Sequence, residues 1–202
     1  MKTHKGDTLS NLDVFVNKFD SGEPSTGKFV MKAKGIELKD SYCYISNDNN
    51  PDPSILKVTK LNTELNDFKI LGSKIFFEMK EANFRFDNKL EVTHLNTYFS
   101  YTDSLMQAKD LRLQTPQTDL QGTITMLPHN GSFGGFVNKV VFDVHLPKAI
   151  VNTTDLNAFY NGFNGGRNIV LEGVTMKGTL NNFVIPQGKI SYQNTLIEGD
   201  LA

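Results

Sequence analysis

Short runs in which apolar and polar side chains alternate follow one another from about Lys28 to the end of this chain, with almost no helical punctuation. Leu61, Thr63 and Leu65 alternate with Asn62, Glu64 and Asn66; Ile75, Phe77 and Met79 with Phe76, Glu78 and Lys80; Val140, Phe142, Val144 and Leu146 with Val141, Asp143 and His145. Successive side chains of a strand point to opposite faces, so each run describes a ribbon that is apolar on one side and wetter on the other. Repeated along a chain, the pattern builds one continuous apolar surface. What covers that surface is the functional question.

The alternation predicts strands at Lys28–Ala33, Ile36–Asp40, Ser41–Ser46, Ile55–Leu61, Thr63–Ile70, Lys74–Met79, Ala82–Asp87, Lys89–His94, Thr97–Tyr101, Ser104–Ala108, Asp110–Thr115, Asp119–Leu127, Phe136–Pro147, Asn168–Met176, Lys177–Ile185, Lys189–Gln193 and Thr195–Leu201. The gaps are too short for parallel crossovers, so neighbours are antiparallel. Asp48 to Pro53 reads as a loop, Asp87-Asn88 as a hairpin turn, and Thr154 to Tyr160 as a short helix. The apolar set changes parity after Gly35, and Gly72 stands between Ile70 and Ile75; both mark expected bulges, and repeated bulges curl a sheet. Thr118 to Ile124 resembles Thr195 to Leu201, a modest internal repeat of the kind that stacks rung on rung.

Ahead of the sheet, Asp7 to Asp20 places Leu9, Leu12, Phe15, Val16 and Phe19 on one stripe and predicts an amphipathic helix. Its polar face is not cationic, so it reads as a lid over the open end of the sheet, with Ser21 to Gly27 as linker. The division is residues 1–27 for helix and linker, 28–202 for the sheet.

Composition narrows the function classes. An apolar share of 39% and mean hydropathy of −0.32 over 202 residues suit a thin structure better than a deep core. Net charge is −1, from 21 basic and 22 acidic residues without a patch of either sign, which argues against nucleic acid as a partner. Cys43 is the single cysteine, which excludes an intrachain disulfide, and it reads as a buried or half-buried structural thiol. His4, His94, His129 and His145 share no metal-ligand spacing, and neither Asp110 with Asp119 nor Asp143 with Asp155 is placed in a cleft. The glycine-rich stretches Gly131–Gly135 and Gly162–Arg167 lack the context of a phosphate cradle. The expectation is a non-enzymatic protein without cofactor or metal. Met1 to Gly6 is polar and no apolar run follows, so no signal peptide or membrane span is expected; the carboxyl end stops in mid-pattern, as an internal slice of a larger exported protein would.

The stretch Leu111-Arg112-Leu113-Gln114-Thr115-Pro116-Gln117-Thr118-Asp119-Leu120-Gln121-Gly122 resembles the AsmA-like and TamB (translocation and assembly module) envelope proteins of the Bacteroidota type. In these a strand ending in Leu-x-Thr leads through a polar turn into a Leu-x-Gly strand. Phe142-Asp143-Val144, Asp155-Leu156-Asn157-Ala158-Phe159, Leu171-Glu172-Gly173, Lys177 to Phe183 and Ile36 to Tyr44 are similar to other parts of that family. The resemblance implies an elongated, curled antiparallel sheet, a β-taco or half-pipe. It also implies a role in lipid transport and outer-membrane biogenesis across the periplasm, in a full-length protein anchored in the inner membrane. The implied partners are phospholipid or other lipid acyl chains, adjoining segments of the full-length protein, and an outer-membrane assembly factor.

An apolar half-pipe suits that role physically. Exposing a lipid tail to water costs about 0.8 kcal/mol per methylene, and a greasy track removes that barrier without directional contacts. The expected groove-lining residues are Leu65, Ile75, Phe77, Met79, Phe84, Phe86, Leu111, Leu113, Leu120, Ile124, Val140, Phe142 and Val144. The alternative is a closed β-sandwich or β-helix, acting as an adhesin or carbohydrate-binding module, with the same residues sealed in an ordinary core.

Overall fold

The computed structural model describes residues 2–8, 30–49, 54–87, 89–130, 136–159, 162–163 and 166–199. They form one sheet of eleven strands whose spatial order is the chain order. The strands are β1 (Lys2–Thr3), β2 (Val30–Asn47), β3 (Ser54–Leu71), β4 (Lys74–Phe86), β5 (Leu90–Tyr101), β6 (Met106–Gln114), β7 (Asp119–Leu127), β8 (Val141–Asn152), β9 (Asn168–Thr179), β10 (Asn182–Tyr192) and β11 (Thr195–Glu198). β1 lies parallel to the end of β2; every later pairing is antiparallel. The two ends of this order do not meet, so the sheet is not a barrel. Among the described residues no second sheet covers it, and the helical elements are two single turns, Phe136–Lys139 and Thr153–Leu156. The predicted helix over Asp7–Asp20 falls, beyond Thr8, outside the described residues, as does the linker.

Most of the expected strands are halves of longer ones. Lys28–Ala33, Ile36–Asp40 and Ser41–Ser46 merge, from Val30 on, into β2; Ile55–Leu61 and Thr63–Ile70 into β3; Lys74–Met79 and Ala82–Asp87 into β4; Lys89–His94 and Thr97–Tyr101 into β5; Ser104–Ala108 and Asp110–Thr115 into β6. What separates the halves is a bulge, except at Gly35, where the expected bulge is absent and the β2–β3 register runs unbroken from Ala33 to Ile36. All antiparallel pairings except β8–β9 and β10–β11 carry register shifts, and Asp40, Lys60, Asp67 and Asp110 take positive φ at these points. The parity change between Ala33 and Ile36 is real, and β3 changes with it, from Phe68 to Leu65 around Asp67. Gly72, by contrast, belongs to the β3–β4 hairpin turn and makes no bulge. Two other expectations shift: Phe136 to Lys139 opens the Phe136–Pro147 segment as a helical turn, and the short helix after β8 covers Thr153–Leu156.

Because an extra residue bends the strand that carries it, bulges near the middle of successive strands fold the sheet along a crease. Several buried inner-face positions lie near that crease: Ala82 on β4, Thr97 on β5, Leu111 on β6, Leu146 and Ala149 on β8, and Val174 on β9. The hairpin turns then form two rims. Asp87–Lys89, Thr115–Thr118 and the β8–β9 connection lie on the first; Gly72–Ser73, Thr102–Leu105 and the β7–β8 connection lie on the second. The core cluster centres on β8: Val140, Phe142, Val144, Leu146, Ala149 and Val174, with Leu120, Ile124, Met126, Leu171 and Met176 packed around them.

Candidate functional site, an apolar trough interrupted at β8

Strand pairing places directly opposite residues on the same face, so the register identifies the inner surface. One row runs Met31–Ile70–Ile75–Tyr101–Met106–Met126–Phe142 across β2 to β8. Others run Ile36–Leu65–Met79–Thr97 and Thr63–Ala82–Leu95–Leu113–Leu120–Ala149–Leu171. Across β2 to β9 no inner position fixed in this way carries a charged side chain. Charges gather on the other face, where Arg112 meets Asp119 at 3.8 Å, Lys177 meets Asp143 at 3.3 Å and Lys189 meets Glu198 at 2.7 Å. Such exposed pairs contribute about 0–1 kcal/mol each and serve mainly to keep that face wet. Tyr98 also points outward, and its hydrogen bond to the Glu78 carboxylate raises the phenol above its ordinary pKa.

On β3, β4 and β5 the inner face carries an aromatic ladder. Phe77 stacks on Phe99 with ring centroids 4.8 Å apart and faces Phe68 at 6.2 Å. All three rings are half-buried, and towards β2 the face opens further: Met31 is 44% and Leu38 37% exposed. β8 is the opposite case. Phe142, Val144, Leu146 and Ala149 are all buried, so the trough is filled there by its own side chains.

Both connections flanking β8 turn inward. On the second rim, Phe136 sets its ring edge-on against Phe142 at 5.4 Å, while the Val137 carbonyl accepts from the Asn181 amide. On the first rim, residues 153–159 form a strap. The Asn152 side chain caps its helical turn by accepting from the Thr154 amide at 2.9 Å. The Asp155 carboxylate then accepts from the Thr115 and Thr118 hydroxyls, at 2.6 and 2.5 Å. Hydrogen bonds to a charged acceptor contribute about 1.5–3 kcal/mol each, enough to seat the strap on the β6–β7 turn. Further on, Phe159 stacks on Phe86 of β4 at 5.5 Å, having crossed the ends of β5, β6 and β7. Thr115 and Thr118, which the strap holds, are buried. Thr153 closes the loop base, donating its amide to the Arg167 carbonyl at 2.8 Å and accepting the Arg167 amide at 2.9 Å.

Of the thirteen expected lining residues, the register puts Leu65, Ile75, Phe77, Met79, Phe84, Phe86, Leu111, Leu113, Leu120, Ile124, Phe142 and Val144 on this one face. Val140, one residue ahead of β8, joins them in the core cluster. Leu111, Val140, Phe142 and Val144 are buried and present no free surface; the other nine are half-buried. Sequence reasoning missed Phe68, Phe99, Met31 and Leu38. Their signal was the parity change at each bulge, which reassigns the face of every residue beyond it.

Cys43 corrects its expectation: it is exposed, on β2 opposite Val58, where nothing among the described residues lies over the sheet. The histidines are dispersed, with His94 3.1 Å from Asn96 Oδ1 and His145 3.4 Å from Thr175 Oγ1. Among the described residues no cluster of potential metal ligands forms, and no helix is long and apolar enough to cross a membrane. Comparison with protein-family models, curated proteins and solved structures finds no match.

Proposed function

We propose that this chain is a segment of a lipid-handling envelope protein that shields acyl chains on the inner face of its curled sheet. The observation that carries this reading is a charge-free apolar face on a single, unclosed layer, partly exposed from β2 to β5. An apolar face of that kind suits a ligand that lacks polar groups, because each polar group buried without a partner costs several kcal/mol. The resemblance to the AsmA-like and TamB proteins supports the same reading, and with it a periplasmic setting, a role in outer-membrane biogenesis and non-enzymatic action. The strap gives the quoted family segments a physical part, since Asp155 ties Asp-Leu-Asn-Ala-Phe to the Thr-Pro-Gln-Thr turn. The sandwich alternative needs a second layer, and the β-helix needs parallel rungs; this antiparallel single sheet has neither among its described residues.

The test is mass spectrometry of lipid carried through purification. Phospholipid is expected with the parent chain and lost from Phe77→Asp and Leu38→Asp, both on the open stretch, with unfolding midpoints retained. A folded parent chain that neither carries lipid nor takes it up from vesicles would overturn the reading.

A further inference from the structure

We propose that the strap is a hinged lid over the first-rim end of the inner face, latched shut by Asp155. Its movement is independent of what the inner face holds, so the lid stands or falls separately from the lipid reading.

Neck, body and latch are separate pieces of this connection. The neck is Thr153 with Arg167, joined through the Thr153 amide and hydroxyl. It continues the β8–β9 ladder, where the Asn152 side chain donates to Asn168 Oδ1 at 2.8 Å. The body is braced from within. The Asn157, Ala158 and Phe159 amides donate to the carbonyls of Thr153, Asp155 and Leu156 at 3.1, 3.1 and 3.0 Å. The Asn157 side chain donates to the Phe163 carbonyl at 3.0 Å and accepts its amide at 3.2 Å. A segment cross-tied in this way moves as one piece about its neck.

The latch can open without damage to what lies beneath it. Thr115 and Thr118 hold their own turn: the Thr115 amide donates to the Thr118 carbonyl at 2.9 Å, and the Thr115 hydroxyl accepts the Gln117 and Thr118 amides at 3.1 and 2.8 Å. The Thr118 hydroxyl also accepts the Asn152 amide at 3.1 Å, a bond to the neck and not to the body. Releasing Asp155 breaks its two hydroxyl bonds and leaves turn and neck intact. At the far end the Phe159 ring rests on Phe86 yet stays 70% exposed, and within 153–159 Thr153, in the neck, is the one buried residue. A permanent brace would bury its far end. A segment with so little buried apolar surface lies at the low end of a fold's local stabilities. Swung out, it uncovers Phe86, which stands opposite Leu90 on the inner face.

The experiment uses the full chain with nitroxide labels on Lys89→Cys, in the β4–β5 turn, and Gly162→Cys, next to the Phe163 brace, both exposed, in a Cys43→Ser background. Pulsed double electron–electron resonance reads the distance between them. The labelled parent is expected to give one dominant distance. Asp155→Ala is expected to add a longer one, raising the open population roughly tenfold or more, with the unfolding midpoint retained. Asp155→Asn, which keeps an acceptor oxygen for the hydroxyls, is expected to fall between. Phe159→Ala, at an exposed position that folding does not depend on, is expected to shift the distribution the same way and carries the test should Asp155→Ala unfold. Distances unchanged in the folded variants would overturn the lid. A lowered midpoint with unchanged distances would do so too, because it marks a static brace.

Discussion

A methyl group at Gly122 would collide with the His145 carbonyl oxygen and stand 2.9 Å from Leu146 Cδ2. The first obstacle is backbone, at the level where β8 carries its bulge and presses toward β7, so no side-chain rotation relieves it. Gly122→Ala is therefore expected to cost about 2–3 kcal/mol in denaturant unfolding, because β7 and β8 must separate at the crease. Gly35→Ala is the control: its added carbon meets nothing closer than 3.8 Å, and a change within about 0.5 kcal/mol is expected. The glycine of the Leu-Gln-Gly string thus has a local cause in this molecule, the closeness of two strand backbones where the sheet folds. The same residue-level chemistry explains the strap. Thr115 and Thr118 lie in one quoted motif and Asp155 in another, up to 40 positions apart, and only the turn geometry brings two hydroxyls to one carboxylate.

At the level of elements, the apolar/polar period was legible in the sequence and the strand lengths were not. A bulge inserts one residue, reverses parity and favours Asp, Asn or Gly, which are also the marks of a turn. Asp40 and Asp110 therefore mark the expected ends of strands that in fact run on through them. What separates the two cases is pairing with a neighbour, which a single sequence does not display. The lining set suffers in the same way: it includes Leu65, ahead of Asp67, and omits Phe68 and Ile70 beyond it, where the face changes. The distinction is testable at Asp110, whose φ of 51° suits a short polar residue or glycine. Asp110→Gly is expected to leave the unfolding midpoint nearly unchanged. Asp110→Val, β-branched and strained in that conformation, is expected to lose about 1–2 kcal/mol in the same measurement.

Across the whole molecule, each strand touches the strands next to it in the chain, and the deep packing is concentrated around β8. Cooperative stability in such an array falls off with distance from its best-packed unit. Amide hydrogen exchange is expected to be slowest in β7, β8 and β9 and to quicken outward, to fast exchange in the Val30–Leu38 half of β2 and in β11. Uniform protection from β2 to β11 would show that the sheet opens as a single unit. Strictly sequential pairing has one more consequence. No strand threads between two others, so a hairpin added or removed outside the span that the strap crosses, β4 to β8, alters nothing but its immediate neighbours. Each hairpin extends the structure by two interstrand spacings, roughly 9–10 Å. The span of such a protein is set by counting hairpins, as a ruler is set by its divisions, and a chain built this way can be matched to a gap of any width without redesigning its architecture.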